Sequence, residues 1–315
     1  MPFSRIGLGR VLANNFESFA ATCYAAFPNV RRGNTILIAA DFGGSHRGQL
    51  FDTYSFIILD IDQNLVWRAG QRKFRTNVLR NSRRMAFKSL NDKQRRDALT
   101  PFLSLADTID GWLVTFAISK TGGSLFSADT EDVNRSTEEL RLWKPRVQEQ
   151  LMRIIHLSTF LLSGLSIENQ NIFWITDEDA IAANTIQLTQ VARLVGHIAS
   201  QVMGHNFGHL RCGTTQSDDG TLWLEDIASI CDLASGSTGE VLTAMKGSHA
   251  SLQAHVASPV PKDISWKART IMAWQAHERS RLRRIMCVLD LSATSPKMKV
   301  GTIRWHAVPG FVFTQ

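Results

Sequence analysis

Three aspartates stand at places where a folded chain could gather carboxylates into one site. Asp41 closes the apolar run TILIAAD and precedes Phe42 and two glycines, while Asp177 directly follows the run NIFWIT. Asp226 lies in the segment LWLEDIA, which also contains Glu225. Carboxylates that lie close together repel one another unless a cation neutralises them, so a cluster of these aspartates implies a bound metal ion.

The chemistry expected of such a cluster is metal-assisted hydrolysis. Oxygen ligands without thiolates favour Mg²⁺ or Mn²⁺, and two such ions about 3.5–4 Å apart activate a water and stabilise the leaving oxygen of a phosphodiester. We therefore predict Asp41, Asp177 and Asp226 to be both catalytic residues and metal ligands. For Asp41, a turn stabilised by the aspartate's own local hydrogen bonds is the alternative interpretation. Three further acids are spare ligand candidates: Glu225, Asp179 and Asp218.

A second group of metal-binding side-chain types, His205, His209 and Cys212, raises the alternative of a zinc site. The spacing supplies no evident fourth ligand, and Cys212 falls in a segment that we predict to be a buried strand. We therefore expect two core histidines and a buried cysteine here. His46, five residues after Asp41, is either a proton carrier or phosphate contact near the site, or a turn residue without function.

The positive charge of the chain is concentrated in one segment. The net charge is +7, but residues 68–96 contain eleven Lys or Arg and one acid, Asp92, so this segment carries +10 and the remainder −3. A concentrated basic patch is typical of proteins that bind polyanions, nucleic acid above all; a solvated helix face is the alternative. The predicted nucleic-acid contacts come from this segment and from a basic cluster near the C-terminus: Arg72, Lys73, Arg75, Arg80, Arg83, Arg84, Lys88, Arg281, Arg283 and Arg284.

The chain contains eight tryptophans, and some of them lie near these basic groups. An exposed indole next to cations can stack on the bases of a single strand. We expect most of the eight to lie in the core or between domains. The candidates for stacking are Trp67, Trp266, Trp274 and Trp305.

The strands and helices that would position these residues are predicted from hydrophobic periodicity, helix caps, and glycines and prolines that end an element. Five strands are predicted at 36–40, 53–60, 112–119, 171–176 and 209–214, with the first two paired antiparallel because their connection is short. Helices are predicted at 11–27, 145–164, 183–202, 222–233 and 265–288. A further helix is predicted to begin after a cap at Asn91 or Asp92. Gly236 and Gly239 are expected to end the helix that carries Asp226. A final strand or arm is expected at 300–313.

We divide the chain into three regions. Residues 1–32 form an N-terminal helical extension, and residues 33–245 form the main domain with the predicted sheet. Residues 246–315 form a linker rich in Ser, Ala and Pro, followed by the basic helix and a C-terminal arm.

The order of these elements resembles the ribonuclease H-like (RNase H-like) fold. More narrowly, the chain is similar to a domain-of-unknown-function family whose first strand ends Tyr-x-Asp-Glu-Ser-Gly and whose closing helix reads Leu-Gln-x-Ala-Asp-Leu. The first motif corresponds to ADFGG and the last to LWLEDIA, with FWITDE between them supplying the family's strand followed by aspartate. The segment that begins FKSLNDKQRRDAL is also similar, and together the resemblance covers about residues 33–240.

The resemblance implies an α/β fold with a mixed five-stranded RNase H-like sheet flanked by helices, and a magnesium- or manganese-dependent nuclease that hydrolyses RNA or DNA. The chain departs from the family at Phe42, which replaces an acid, and at Trp223, which replaces glutamine. Arg84 or Met85 also stands where the family tends to carry the glutamate of its central Glu-x-Lys motif. The missing acids predict the alternative: a catalytically degenerate subunit of a larger defence or mobile-element assembly, which binds nucleic acid or protein.

Composition and the absence of certain motifs limit the cellular location and the enzyme classes that fit this chain. No apolar run approaches the roughly 20 residues of a membrane span, so we expect no membrane association. The four cysteines are widely spaced without a CxxC pair, which favours a reduced, cytoplasmic protein. Neither a phosphate-binding loop nor a Gly-x-Ser-x-Gly elbow is present, so ATPase and serine-hydrolase functions lack support. A protein partner or a homo-oligomer is left open.

Overall fold

The computed structural model describes residues 8–22, 28–44, 46, 48–80, 82–126, 139–178, 180–247, 256–258, 261, 263–277, 280–291 and 298–305. These residues form a mixed sheet of eight strands with helices on both faces. The strands are β1 Thr35–Gly43, β2 Phe51–Asp60, β3 Gly111–Ser119, β4 Asn171–Thr176, β5 Leu210–Thr214, β6 Val256–Ser258, β7 Leu282–Leu291 and β8 Met298–Trp305. The helices are α1 Leu8–Thr22, α2 Leu65–Asn77, α3 Lys93–Ala106, α4 Pro145–Leu165, α5 Thr185–Val202, α6 Trp223–Gly247 and α7 Trp266–Ala276.

The strand order across the sheet is β5-β4-β1-β2-β3-β7-β8-β6. β1, β2 and β3 are joined antiparallel, as predicted for the first pair, whereas β4 is parallel to β1 and β5 is parallel to β4. In the parallel pair, Ala40 lies opposite Thr176, and this is the last pair of the ladder. The next residues, Asp41 and Asp177, therefore lie side by side just beyond this ladder, and Asp41 is still within β1, opposite Ser55 of β2.

The sheet separates two apolar layers. Ile36 and Ile38 of β1 belong to the layer packed by α1, α4 and α5. Leu37 and Ala39 belong to the layer packed by α2, α3, α6 and α7. Because side chains alternate along a strand, Asp41 continues the second set and points to the side of the sheet that α6 covers.

The sheet is larger than the predicted five strands, because the C-terminal region adds strands to it. The predicted helix at 265–288 is wrong beyond residue 276: α7 ends there and β7 begins at Leu282. β7 pairs parallel with β3 and antiparallel with β8. Its sequence LRRIMCVLDL is largely apolar, and pairing on both sides overrides a helical preference in such a segment.

The helix that carries Asp226 also differs from the prediction, because α6 continues through Gly236 and Gly239 to Gly247. A Cβ atom at Gly236 would lie 2.5 Å from Cγ of Phe87, and one at Gly239 would lie 3.1 Å from Nε2 of Gln49. The glycines therefore allow close packing rather than ending the helix.

Several predicted features lie outside the described residues. These are part of the first predicted helix (23–27), Asp179, most of the predicted linker and the chain after Trp305. Across the described residues, none of the helices combines the length and apolar character needed to cross a bilayer.

Candidate functional site

The C-terminal parts of β1 and β4 bring two of the predicted site residues close together. Ala40 and Thr176 are paired, and neighbouring strands lie about 4.8 Å apart, so the backbones of Asp41 and Asp177 are about one strand spacing apart. Phe173 and Ile175 of β4 face the same layer as Leu37 and Ala39 of β1. Side-chain alternation then points both carboxylates towards α6.

Arg84 lies between Asp177 and the first turn of α6. Its Nη1 atom is 2.8 Å from Oδ2 of Asp177, and its Nε atom contacts Oε1 of Glu225. The Arg84 side chain is 40% exposed, while Asp177 and Glu225 are 23% and 15% exposed. One guanidinium group thus bridges the tip of β4 and the start of α6.

The segment that carries Arg84 is held in place on both sides. Arg95 of α3 donates from Nε to the Arg84 carbonyl at 2.9 Å, and the backbone N–H of Phe87 donates to Oδ2 of Asp232 at 2.6 Å. Between these contacts the Met85 side chain is fully buried. The position of the guanidinium therefore follows from the fold of the segment and not only from its own flexible stem.

Asp232 is the third acid near Arg84. It comes seven residues after Glu225, which is about two helical turns, so both acids share one face of α6. The charges of Arg84 and Lys88 favour the ionised form of Asp232, and Asp177 opposes it. We call Arg84, Asp177, Glu225 and Asp232 the Arg84 site. The seven-residue spacing of Glu225 and Asp232 could have identified this pair in the sequence, but the sequence analysis selected Asp226 instead.

The protonation of these groups reflects burial and mutual charge. Burial raises the pKa of Glu225, although the charge of Arg84 opposes the rise. Burial also raises the pKa of Asp232, against the hydrogen bond from Phe87. For Arg84, burial alone would lower the pKa of the guanidinium, but hydrogen bonds and charges of Asp177 and Glu225 raise it. Arg84 is therefore a permanent cation among acids.

Asp226 points away from this site and into the interface with α2. The residue is completely buried, and its carboxylate accepts hydrogen bonds from both Nε (2.9 Å) and Nη2 of Arg75. Gln71 adds a third bond from Nε2 at 2.7 Å. Burial raises the pKa of Asp226 in spite of the Arg75 charge. The contacts thus engage both oxygens of Asp226 within the protein, away from the partners of Glu225.

The other ligand candidates have local structural partners. The Asp218 carboxylate accepts from the backbone N–H groups of Leu222 (2.8 Å) and Leu224 (2.7 Å), where it organises the start of α6. His46 accepts from Gly48 N at 3.2 Å, as a turn residue does.

The zinc candidates do not form the expected buried group. His205 is half-buried and hydrogen-bonded to Oγ of Ser166 at 2.8 Å, His209 is exposed, and Cys212 is half-buried. The expectation of core histidines is therefore wrong for His209, whereas His205 is partly buried and Cys212 lies in a strand and packs partly against the core. These residues lie at and around the edge strand β5, where the sheet leaves them partly open to solvent.

A two-metal centre does not fit the described residues as they stand. Nowhere in the described ranges do three or more His, Cys, Asp or Glu side chains converge as metal ligands. Arg84 occupies the space between Asp177 and Glu225, and Arg75 engages Asp226. Mg²⁺ requires octahedral oxygen ligands at about 2.0–2.1 Å, and a guanidinium group supplies charge but no ligand atom.

The predicted basic contacts divide into exposed and engaged residues. Arg72, Lys73, Arg80 and Lys88 are exposed. Arg83 is 43% exposed and lies 3.0 Å from Oδ2 of Asp92. Arg75 and Arg84 form the internal ion pairs described above. The segment 68–96 therefore presents cations at the surface and also supplies the internal charges of the two acid sites.

The C-terminal arginines differ among themselves because they belong to a strand. Arg281 is exposed and Arg283 is half-buried. Arg284 is 6% exposed, pairs with Asp107 and lies 4.1 Å from the ring centroid of Trp274. Burial lowers the pKa of Arg284 to about 9. Arg284 thus stabilises the interior and does not reach a bound nucleic acid.

No protein-family model matches this sequence, and no curated protein matches it. The functional conclusion therefore depends on the Arg84 site and on the exposed basic residues.

Proposed function

We propose that this protein is a nucleic-acid-binding module of RNase H-like fold whose acidic end has lost the two-metal centre. The first five strands support the fold assignment, because their order along the chain, with two strands, helices, a third strand and then alternating helices and strands, agrees with the order of elements in the resemblance. In this proposal the acidic end of the sheet is structural and the basic segment binds the nucleic-acid backbone.

The observation that carries the proposal is the bridge from Arg84 to Asp177 and Glu225. A guanidinium neutralises these acids without a metal ion. A divalent ion about 4 Å from that charge would experience a repulsion of about 8 kcal/mol at an effective dielectric constant of 20. Metal binding therefore requires displacement of Arg84, whose position is supported by the contacts of Arg95 and Phe87.

The exposed cations of the basic segment support nucleic acid as the partner. Arg72, Lys73, Arg80 and Lys88 are exposed within a segment of net charge +10. Each phosphate that such residues neutralise releases counterions, so the logarithm of affinity falls by about 0.7–0.9 per phosphate for each tenfold rise in salt.

Binding and cleavage are measured together to test the proposal. Labelled single- and double-stranded RNA and DNA are titrated by fluorescence anisotropy in EDTA at low and moderate salt, with a parallel cleavage assay in Mn²⁺. We expect salt-sensitive binding without cleavage, weakened at least tenfold by Arg72→Glu with Lys73→Glu. The matched control, Arg141→Glu with Arg193→Glu, reverses two exposed charges elsewhere and should bind nearly as wild type. Equal binding by both double variants would refute the assignment of the basic segment, and absence of binding would favour a protein partner.

A metal-dependent nuclease is the second candidate. The neighbouring positions of Asp41 and Asp177 on the side of the sheet facing α6 favour it. In this candidate Asp41 and Asp177, with an acid of α6, would hold Mg²⁺ or Mn²⁺, and Arg84 would have to be displaced. Cleavage in Mn²⁺ that Asp41→Ala abolishes would establish this candidate and exclude the degenerate module.

Arg84→Ala separates the two candidates without an activity assay. If Arg84 substitutes for a cation, its removal leaves the acids of the site uncompensated, so the melting temperature should fall. Millimolar Mn²⁺ should then restore part of the loss, whereas wild type should not respond to Mn²⁺. The control Arg75→Ala removes the partner of the buried Asp226 and should show no such restoration. A marked rise in the wild-type melting temperature with Mn²⁺, absent in Asp177→Ala, would contradict the proposal.

A further inference from the structure

Trp266 differs from the other candidate stacking tryptophans in being open to solvent. It is 37% exposed at the first position of α7, whereas Trp67, Trp274 and Trp305 are at most 5% exposed. The Arg96 guanidinium of α3 lies over its ring, 5.0 Å from the centroid. An exposed indole beside a cation can stack on a nucleic-acid base, since every base has a π-face.

Further cations lie next to this pair. Lys93 is three residues before Arg96 on α3, so the two are neighbours on the helix surface. Lys267 places Nζ 4.2 Å from the centroid of the Phe87 ring and donates to the Phe87 carbonyl at 3.1 Å. Lys88, the residue after Phe87, is exposed. We call Lys88, Lys93, Arg96, Trp266 and Lys267 the Trp266 surface.

The Trp266 surface is continuous with the Arg84 site. Phe87 connects them, because its backbone N–H donates to Asp232 of the Arg84 site and its ring and carbonyl contact Lys267. A strand of nucleic acid bound by the basic segment can therefore pass from the acidic end of the sheet to α7. The surface therefore offers cations for phosphates and one indole for a base.

The chemistry of the surface favours a single strand over a duplex. Four of its five residues are cations, and the exposed acids Asp97 and Asp263 beside them leave the total positive. A duplex buries the faces of its bases within the stack, so an indole on a convex helix surface reaches only its backbone. A single strand offers both phosphates and free base faces.

We propose that α3 and α7 form a stacking platform for one base of a single-stranded nucleic acid, with Trp266 as the aromatic face. Arg96 turns from the indole to a neighbouring phosphate when the base stacks, because stacking on an aromatic ring is stronger than an exposed cation–π pair. This inference rests on the proposed nucleic-acid binding and adds the strandedness of the ligand and the residue that recognises it.

The test compares single-stranded and hairpin DNA and RNA of equal length by fluorescence anisotropy in EDTA. Trp266→Ala should weaken single-strand binding about 5- to 150-fold, the loss expected for one stacked base, with little change for the hairpin. Trp266→Phe should retain most of the affinity, and unchanged hairpin binding by Trp266→Ala excludes misfolding as the cause of the loss. Ile186→Ala removes another exposed apolar side chain, 70% exposed on α5, and should bind as wild type.

Two additional readouts separate stacking from charge. Single strands should quench part of the intrinsic tryptophan fluorescence in wild type, and this component should be absent in Trp266→Phe. Arg96→Ala should reduce the salt slope by about 0.7, whereas Trp266→Ala should leave it unchanged. If wild type and Trp266→Ala bind single strands equally, the stacking platform is refuted and the nucleic-acid module stands. If wild type binds no nucleic acid, both are refuted.

Discussion

Substitution of Arg75 by methionine tests whether Asp226 is a structural residue. Arg75 is 9% exposed, and its guanidinium binds the fully buried carboxylate of Asp226 through two nitrogens. The methionine side chain is of similar length but carries no charge. Of the side-chain contacts described above, Asp226 then retains only the hydrogen bond from Gln71. Removal of one partner of a buried ion pair typically costs about 3–5 kcal/mol, because the remaining charge is left without compensation.

A further hydrogen bond of Arg75 agrees with a loss of this size in the free energy of unfolding. Its Nη1 atom also donates to the Arg83 carbonyl at 2.7 Å, and loss of such a hydrogen bond costs about 1 kcal/mol. A loss of 3–5 kcal/mol is a large part of the 5–15 kcal/mol by which most proteins are stable. Arg83→Met is the matched control, because its pair with Asp92 is 43% and 34% exposed and solvent screens such exposed pairs.

The measurement is urea denaturation at pH 7 for wild type, Arg75→Met, Asp226→Asn and the double variant. We expect the double variant to be more stable than the sum of the two single losses predicts, since each single change leaves one buried partner unmatched. If Arg75→Met costs less than 1 kcal/mol, or no more than Arg83→Met, Asp226 is not held as a buried ion pair.

Two further predictions concern stability. Asp232 has a folded-state pKa raised above its unfolded value by burial, so its stabilising contribution is complete below the unfolded pKa and is lost as pH rises through the folded pKa. The free energy of unfolding of wild type minus that of Asp232→Asn should therefore increase as the pH falls from neutral towards the unfolded pKa of an aspartate, about 3.9, in urea denaturation; a pH-independent difference would contradict this sign. Gly236→Ala should cost about 1–3 kcal/mol because its Cβ would overlap the Phe87 ring. Gly164→Ala, with nothing within 4 Å of its Cβ, should stabilise by up to about 1 kcal/mol; similar unfolding midpoints for the two variants would refute the packing argument.

Local patterns in the sequence were sufficient for most of the central elements. The predicted bounds of β4, 171–176, agree with the structure, and α4 begins at Pro145 as expected for proline in a first helical turn. Asp92 caps α3 and accepts from the N–H of Arg95 at 3.1 Å. The antiparallel pair of β1 and β2 also follows from a short connection. These features depend on residues within a few positions of one another, which is why periodicity, caps and chain length reveal them.

Features that depend on distant residues were not predicted. β7 is a strand because β3 and β8 lie on either side of it, and α6 passes through two glycines because Phe87 and Gln49 pack against them. The sequence placed Arg84 in a basic run but could not show that its guanidinium faces acids from β4 and α6.

The same distinction applies to the candidate site. Residue type and local periodicity are enough to place an aspartate near the C-terminal end of β1, another directly after β4, and acids in the first turn of α6. The tertiary packing, by contrast, directs Asp226 to Arg75 and Glu225 to Arg84, brings Asp232 under the charge of Arg84, and leaves Trp266 exposed. Adjacent residues on a helix point about 100° apart, so the packing of α6 on its neighbours determines which acid reaches which arginine.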